Sequence, residues 1–145
     1  MRNIVLDTNC LLQMISRHSP YYPVWKSFQM GLYCLCVSNE IISEYREVIG
    51  RVANPIVAEG VVDAILNNPY CLHYDPHFHF NLIHQDPDDN KFVDCAIIAN
   101  AEYIVTEDKH FEVLKQIDFP RVEIATLDHF MSLLDIQQNN RPSNP

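Results

Sequence analysis

Two acids follow short apolar runs, Asp7 after Ile4-Val5-Leu6 and Asp108, which closes Thr106-Glu107-Asp108 after Tyr103-Ile104-Val105. Carboxylates so placed, gathered around a hard divalent cation, could hold a phosphate and activate a water. Both also suit helix N-caps, the commoner fate of Asp at a strand-to-helix turn. Asp94 is different, because Val93, Cys95, Ala96, Ile97, Ile98 and Ala99 leave it apolar neighbours nearly all round a helix. An ionised carboxylate there needs a cation or an ion pair. Lys91, three residues earlier, reaches solvent more comfortably than it reaches Asp94. Glu44 lies at the edge of the stripe Ile41, Tyr45 and Val48, where it can lean toward the same crevice or stay solvated beside Arg46.

The elements that must position these acids alternate between two periods. Asn3 to Leu6 reads as a buried strand running into a helix that carries Leu11, Leu12 and Ile15. Ser19-Pro20 and Tyr22-Pro23 break the chain before a helix over Val24 to Met30, ended by Gly31. Leu32 to Val37 is the next strand, and Ser38-Asn39-Glu40 caps a helix through about Val52. Ile56 to Leu66 reads as a helix and Tyr70 to Tyr74 as a short strand. Asp86-Pro87-Asp88-Asp89 has Asp at the cap, Pro at the first helical position and an acid three residues after the cap. It opens a helix from Asp88 to about Ala101. A strand over Tyr103 to Val105, a helix from Asp108 to about Gln116, a strand over Val122 to Ala125 and a helix over Leu127 to Leu134 follow. The expectation is one domain over 1–136, a polar tail over 137–145, and a three-layer α/β/α sandwich with a mostly parallel sheet. In that architecture ligands bind beyond the carboxyl ends of the strands.

The chain has 145 residues, with 10 Lys+Arg against 19 Asp+Glu for a formal charge of −9, and 48% of its residues are hydrophobic. That excludes a disordered chain, a collagen-like chain and a disulfide scaffold. Bulk electrostatic coating of nucleic acid is excluded as well, since it needs clustered Lys and Arg. A nuclease is not, because a bound cation inverts the local field where a phosphate must sit. Five cysteines, odd in number and mostly inside apolar runs, read as reduced and buried. No signal-peptide pattern precedes the first strand and no apolar run is long enough for a membrane span, so a cytoplasmic protein is the expectation.

The ordered set of motifs resembles the PIN-domain family, in the branch of toxins from toxin–antitoxin pairs. The matching pieces are Ile4-Val5-Leu6-Asp7-Thr8-Asn9, then Ser43-Glu44-Tyr45, then Asp86-Pro87-Asp88-Asp89-Asn90-Lys91-Phe92-Val93-Asp94 with Cys95-Ala96-Ile97-Ile98-Ala99, and finally Tyr103-Ile104-Val105-Thr106-Glu107-Asp108. The resemblance implies a metal-dependent ribonuclease whose metal-binding acids are Asp7, Glu44, Asp94 and Asp108, supported by Asn9 and Thr106. Asp94 best matches the family's Asp before a small apolar run, and the helix cap and dipole account for Asp86, Asp88 and Asp89. Oxygen ligands favour Mg²⁺ or Mn²⁺ over Zn²⁺. Cleavage by water, leaving a 5′-phosphate and a 3′-hydroxyl, an antitoxin partner and a homodimer are further implications.

His73, Asp75, His77 and His79 recur at alternate positions, which places strand side chains on one face and could make a transition-metal site. Pro76 interrupts that strand, so a polar loop is the competing reading. A PIN-like fold kept as a non-catalytic RNA-binding or protein-interaction module is the alternative function. A phosphotransferase using Asp7 as nucleophile would want a second Asp where Asn9 stands, and a chain with three glycines has no phosphate loop.

Overall fold

Five strands form one parallel sheet in the computed structural model, which describes residues 1–139. In chain order they are β1 (Asn3–Leu6), β2 (Cys34–Val37), β3 (Cys71–His73), β4 (Tyr103–Val105) and β5 (Ile124–Ala125), and across the sheet the order is β3-β2-β1-β4-β5. The chain works outward from β1 through β2 to β3, then returns to the other side of β1. The switch point therefore lies between β1 and β4, where Leu6 pairs with Val105. Residues that follow those two strands open into one crevice.

The central strands β1, β2 and β4 are short apolar runs buried on both faces, as a sheet covered by helices requires, while the edge strand β3 is only half-buried. Helices α1 (Thr8–Met14) and α2 (Tyr22–Gln29) join β1 to β2, and α3 (Asn39–Val52) and α4 (Pro55–Leu66) join β2 to β3. Helix α5 (Asn90–Ile98) precedes β4, a 3-10 helix (Lys109–Gln116) precedes β5, and α6 (Leu127–Asn139) closes the described chain. Right-handed crossovers put α1 to α4 on one face and α5 with the 3-10 helix on the other. Ser38 caps α3 by accepting from Ile41 N at 3.2 Å, and Asn54 caps α4 by accepting from Val57 N at 2.8 Å. Two buried tyrosines satisfy their hydroxyls on backbone carbonyls, Tyr45 on Leu6 at 2.5 Å and Tyr33 on Val24 at 3.0 Å. The first of these ties α3 to the very end of β1.

The expected architecture is the one found, with differences at the ends of elements. The helix expected from Asp88 to Ala101 begins as a 3-10 turn (Pro87–Asp89) and stops at Ile98, because Asn100 adopts φ 50° and turns the chain into β4. Of the tail expected over 137–145, residues 137–139 finish α6 and the rest lies outside the described residues. All five cysteines are free, but Cys34 and Cys71 are only half-buried. No described helix is long and apolar enough to cross a membrane.

Gly31 ends the α2 segment with φ +76°, and a Cβ there would stand 2.3 Å from two ring atoms of Tyr70. Gly60 lies in exposed α4 with open space around its missing Cβ. Gly31→Ala is therefore expected to lower unfolding stability by more than about 1 kcal/mol, and Gly60→Ala to raise it by about 0.5–1 kcal/mol. Urea denaturation of the two variants beside the wild type measures both, and equal effects would contradict the assignment.

Candidate active site

Asp7 stands at the N-cap position of α1 but its side chain does not cap that helix. Its backbone N–H continues the ladder to Val105 O at 3.0 Å, and its Oδ2 accepts from Thr106 Oγ1 at 2.8 Å. The same Thr106 oxygen accepts from Asp108 N at 3.0 Å. Asp108 both caps and faces the crevice: its Oδ1 accepts from His110 N at 2.9 Å, starting the 3-10 helix, and it lines a cleft of about 440 Å³ with Asp7 and Asn9. Burial, and then the charges of Asp108 and Glu44, push the Asp7 carboxyl up to about 6 against the pull of Thr106.

Glu44 reaches the same place from α3. One of its carboxylate oxygens accepts from Thr8 Oγ1, and the other lies 3.0 Å from Lys91 Nζ, in an ion pair whose side chains are 17% and 22% exposed. Lys91 is thus not a solvated lysine. It is the counter-charge to Glu44, brought across from α5.

Asp94, the acid that sequence reasoning singles out on apolar α5, is buried but engaged elsewhere. Its Oδ1 accepts from Phe80 N at 3.1 Å and its Oδ2 lies 3.1 Å from His79 Nδ1. It opens onto a separate cleft of about 290 Å³ that Asp7 and Asp108 do not line. The acid that joins Asp108 is Asp89, at the end of the 3-10 turn. Asp89 is only 8% exposed, and its Oδ2 has no hydrogen-bond partner. Burial, and then the charges of Asp108, Asp86 and Asp7, hold its carboxyl well above the usual range. One ligand atom each from Asp86, Asp89, Asp108 and His110 falls within 4.8 Å of the others. His110 Nδ1 is 3.4 Å from Asp108 Oδ1 and 3.7 Å from both Asp86 Oδ2 and Asp89 Oδ2. Sequence reasoning assigned Asp86 and Asp89 to capping, yet neither side chain makes a capping hydrogen bond. The signal was helical phase: Asp89, Phe92, Val93 and Ala96 share the buried face.

The alternating histidines do not converge. His73 Nε2 lies 3.3 Å from Asp75 Oδ2, Asp75 accepts from the Asn39 backbone and side chain, and His79 turns to Asp94. The sequence is that of a loop anchored at successive points.

A family model of the PIN domain matches residues 3–110, which include Asp7, Glu44, Asp89, Asp94 and Asp108. The chain belongs to the PIN-domain family. Among solved structures it resembles a chain of VapBC2 from Rickettsia felis, crystallised with a DNA fragment from the promoter. That likeness has a TM-score of 0.59 and 16% identity, over 86% of this chain and 98% of that one. The PIN domain of RRP44 from T. brucei gives a TM-score of 0.56 and 12% identity, over 96% of this chain and 84% of that one. Identities so low speak for the fold alone. No curated protein is significantly similar in sequence.

Because the folded carboxyl of Asp7 is raised from 3.8 to about 6, its contribution to stability is present below the lower value and lost as pH rises through the upper one. Asp7→Asn, whose amide oxygen can still accept from Thr106, is expected to stabilise the protein in EDTA at pH 7.5 by about 2–3 kcal/mol. The gain should vanish near pH 4. Thermal melts at the two pH values measure this, and a destabilised variant at pH 7.5 would refute the account in which burial, reinforced by like charge, raises the Asp7 carboxyl.

Proposed function

We propose that the protein is a metal-dependent endoribonuclease, acting at the crevice formed by Asp7, Glu44, Asp89 and Asp108. The observation that carries this reading is the buried Asp89 oxygen that lacks a hydrogen-bond partner among other carboxylates, an arrangement that is costly in its ionised form until a cation neutralises it. The donor set fits a hard cation, with carboxylate oxygens predominating and one imidazole at the edge. Asp89 and Asp108 would hold it with Asp7, and Asp86 and His110 lie close enough to contribute. Mg²⁺ or Mn²⁺ supplies charge neutralisation at the phosphate and a more acidic water.

The protein's own part is orientation. Thr106 fixes the rotamer of Asp7, and the Asp108 backbone fixes Thr106. Thr8 and Lys91 fix Glu44, leaving little to reorganise when substrate arrives. Asn9, exposed on the rim of the Asp7 cleft, is placed to contact a phosphodiester. In the proposed reaction water displaces the 3′-oxygen from phosphorus, leaving a 5′-phosphate and a 3′-hydroxyl, without using the ribose 2′-hydroxyl. Asp94 in this reading is a positioning residue, holding loop and helix together behind the crevice.

The same reading extends to the toxin of a toxin–antitoxin pair in the cytoplasm, acting as a homodimer. The likeness to a VapBC2 chain supports it in fold. An antitoxin would neutralise this crevice most directly by inserting a basic side chain among its acids.

The test is cleavage of mixed-sequence single-stranded RNA with Mg²⁺, Mn²⁺ or EDTA. Cutting is expected with either metal and not in EDTA, and Asp7→Asn and Asp89→Asn should each lower the rate about 100-fold or more. Asp94→Asn should lower it about 10-fold, as loss of an outer-shell support does. A loss at Asp94 as large as at Asp89 would return Asp94 to the ligand set. Folded wild-type protein that cuts no RNA with either metal would favour the non-catalytic module.

A further inference from the structure

A cleft of about 530 Å³ lies between the loop at 83–85 and the 3-10 helix Lys109–Gln116. It is larger than the cleft that Asp7 and Asp108 line. We propose that this cleft is a nucleobase subsite, which takes one base of the RNA next to the cut bond and so sets the nucleotide preference of cleavage. The inference rests on the reading of the protein as a ribonuclease.

His110 connects the two places. It lines the cleft, and its Nδ1 is within 3.7 Å of Asp86, Asp89 and Asp108. A strand whose phosphate lies at the acids thus has the cleft open beside it for an adjoining base. The walls suit a flat, partly apolar ring: Val113 supplies exposed apolar surface and the buried Ile83 backs the floor, while Gln85 and Gln116 supply amide donors and acceptors. Gln85 precedes Asp86 directly, so a side chain able to read a base edge sits one residue from the acidic group.

The charges agree. In a chain with a net charge of −9, the cleft carries two lysines, Lys109 and Lys115, against one carboxylate, Glu112. Lys115 is held by Glu112 at 2.8 Å. Lys109, next to the site acid Asp108, forms no ion pair among the described residues. It is free to meet the phosphate that joins the base in the cleft to the one beyond it. RNA recognition of this kind reads unstacked bases of single strands, so a single-stranded substrate is the class implied.

The experiment has two readouts. First, each of the four nucleoside 5′-monophosphates is titrated in Mg²⁺ into isotopically labelled protein, and the Ile83 and Val113 methyl and Gln85 and Gln116 amide resonances are followed. Those resonances are expected to move, most for one base, and Val113→Trp, which fills the cleft, should abolish the response. Second, cut ends are mapped on a random RNA pool. The wild type should prefer one nucleotide beside the cut, and Val113→Trp and Gln116→Ala should flatten that preference and raise KM about 10-fold. The metal-induced rise in Tm should persist in both variants, which separates a lost subsite from a damaged crevice.

Cleavage with unchanged preference in both variants would overturn the proposal, as would resonances that ignore all four nucleotides. If the wild type cuts no RNA, the ribonuclease reading fails by itself, and the titration still decides whether the cleft takes a base. Should Val113→Trp fail to fold, Gln116→Ala carries both readouts.

Discussion

One hydroxyl keeps the two strand-end carboxylates in register. Thr106 Oγ1 donates to Asp7 and accepts the N–H of Asp108, so the residues leaving β1 and β4 are joined across the point where the sheet reverses direction. The parallel pairing of Leu6 with Val105, and the Asp7 N–H on Val105 O, bring the backbones close enough for that hydroxyl to bridge. Without it, two acids of like charge would turn toward water. With it, they stay in a crevice where burial raises the charge-free form of Asp7 in stability.

That arrangement works against folding, and the rest of the molecule has to outweigh it. The apolar strands and the aromatic contacts that flank the crevice do so by ordinary burial. Phe92 of α5 meets Phe111 of the 3-10 helix edge-on at 6.4 Å, which packs together the two elements whose N-cap positions are Asp89 and Asp108. Lys91 offsets part of the repulsion by neutralising Glu44. A site this costly is what the proposed cation-binding function would leave behind, since selection for binding opposes selection for stability.

Element types were legible in the sequence because apolar periodicity and caps are local. Asp7 and Asp108 were legible as site candidates for a related reason, that a position just beyond a strand is a geometric statement as well as a sequence one. Glu44 was half legible, since its helix phase pointed to the crevice but nothing local announced Lys91. For Asp94 the burial was legible and the partners were not. Asp94 has the strongest burial argument on the chain, and its partners are a backbone N–H and an imidazole from a loop without periodicity, 14 and 15 residues back. Asp89 was hidden because a cap explanation was available and sufficient. Its phase with Phe92, Val93 and Ala96 and the missing capping hydrogen bond distinguish a carboxylate that faces a crevice from one that serves the helix.

The segment from Asp86 to Asp94 shows why so many polar residues crowd one apolar helix. Asp86 and Asp89 face His110 and Asp108. Asn90 clamps Ile83 through both backbone groups at 2.9 Å, Lys91 crosses to Glu44, and Asp94 takes the Phe80 N–H. Asn90, Lys91 and Asp94 each tie α5 to another part of the chain, and each is buried or nearly so. Polar contacts of this kind add little net stability, but left unpaired they are expensive, so together they permit only one placement of the helix. Asp89 gains its position from that constraint. An acid at the N-cap position of a helix tied down at three further points can be held against its neighbours' charge, which no loop residue in the same place could be.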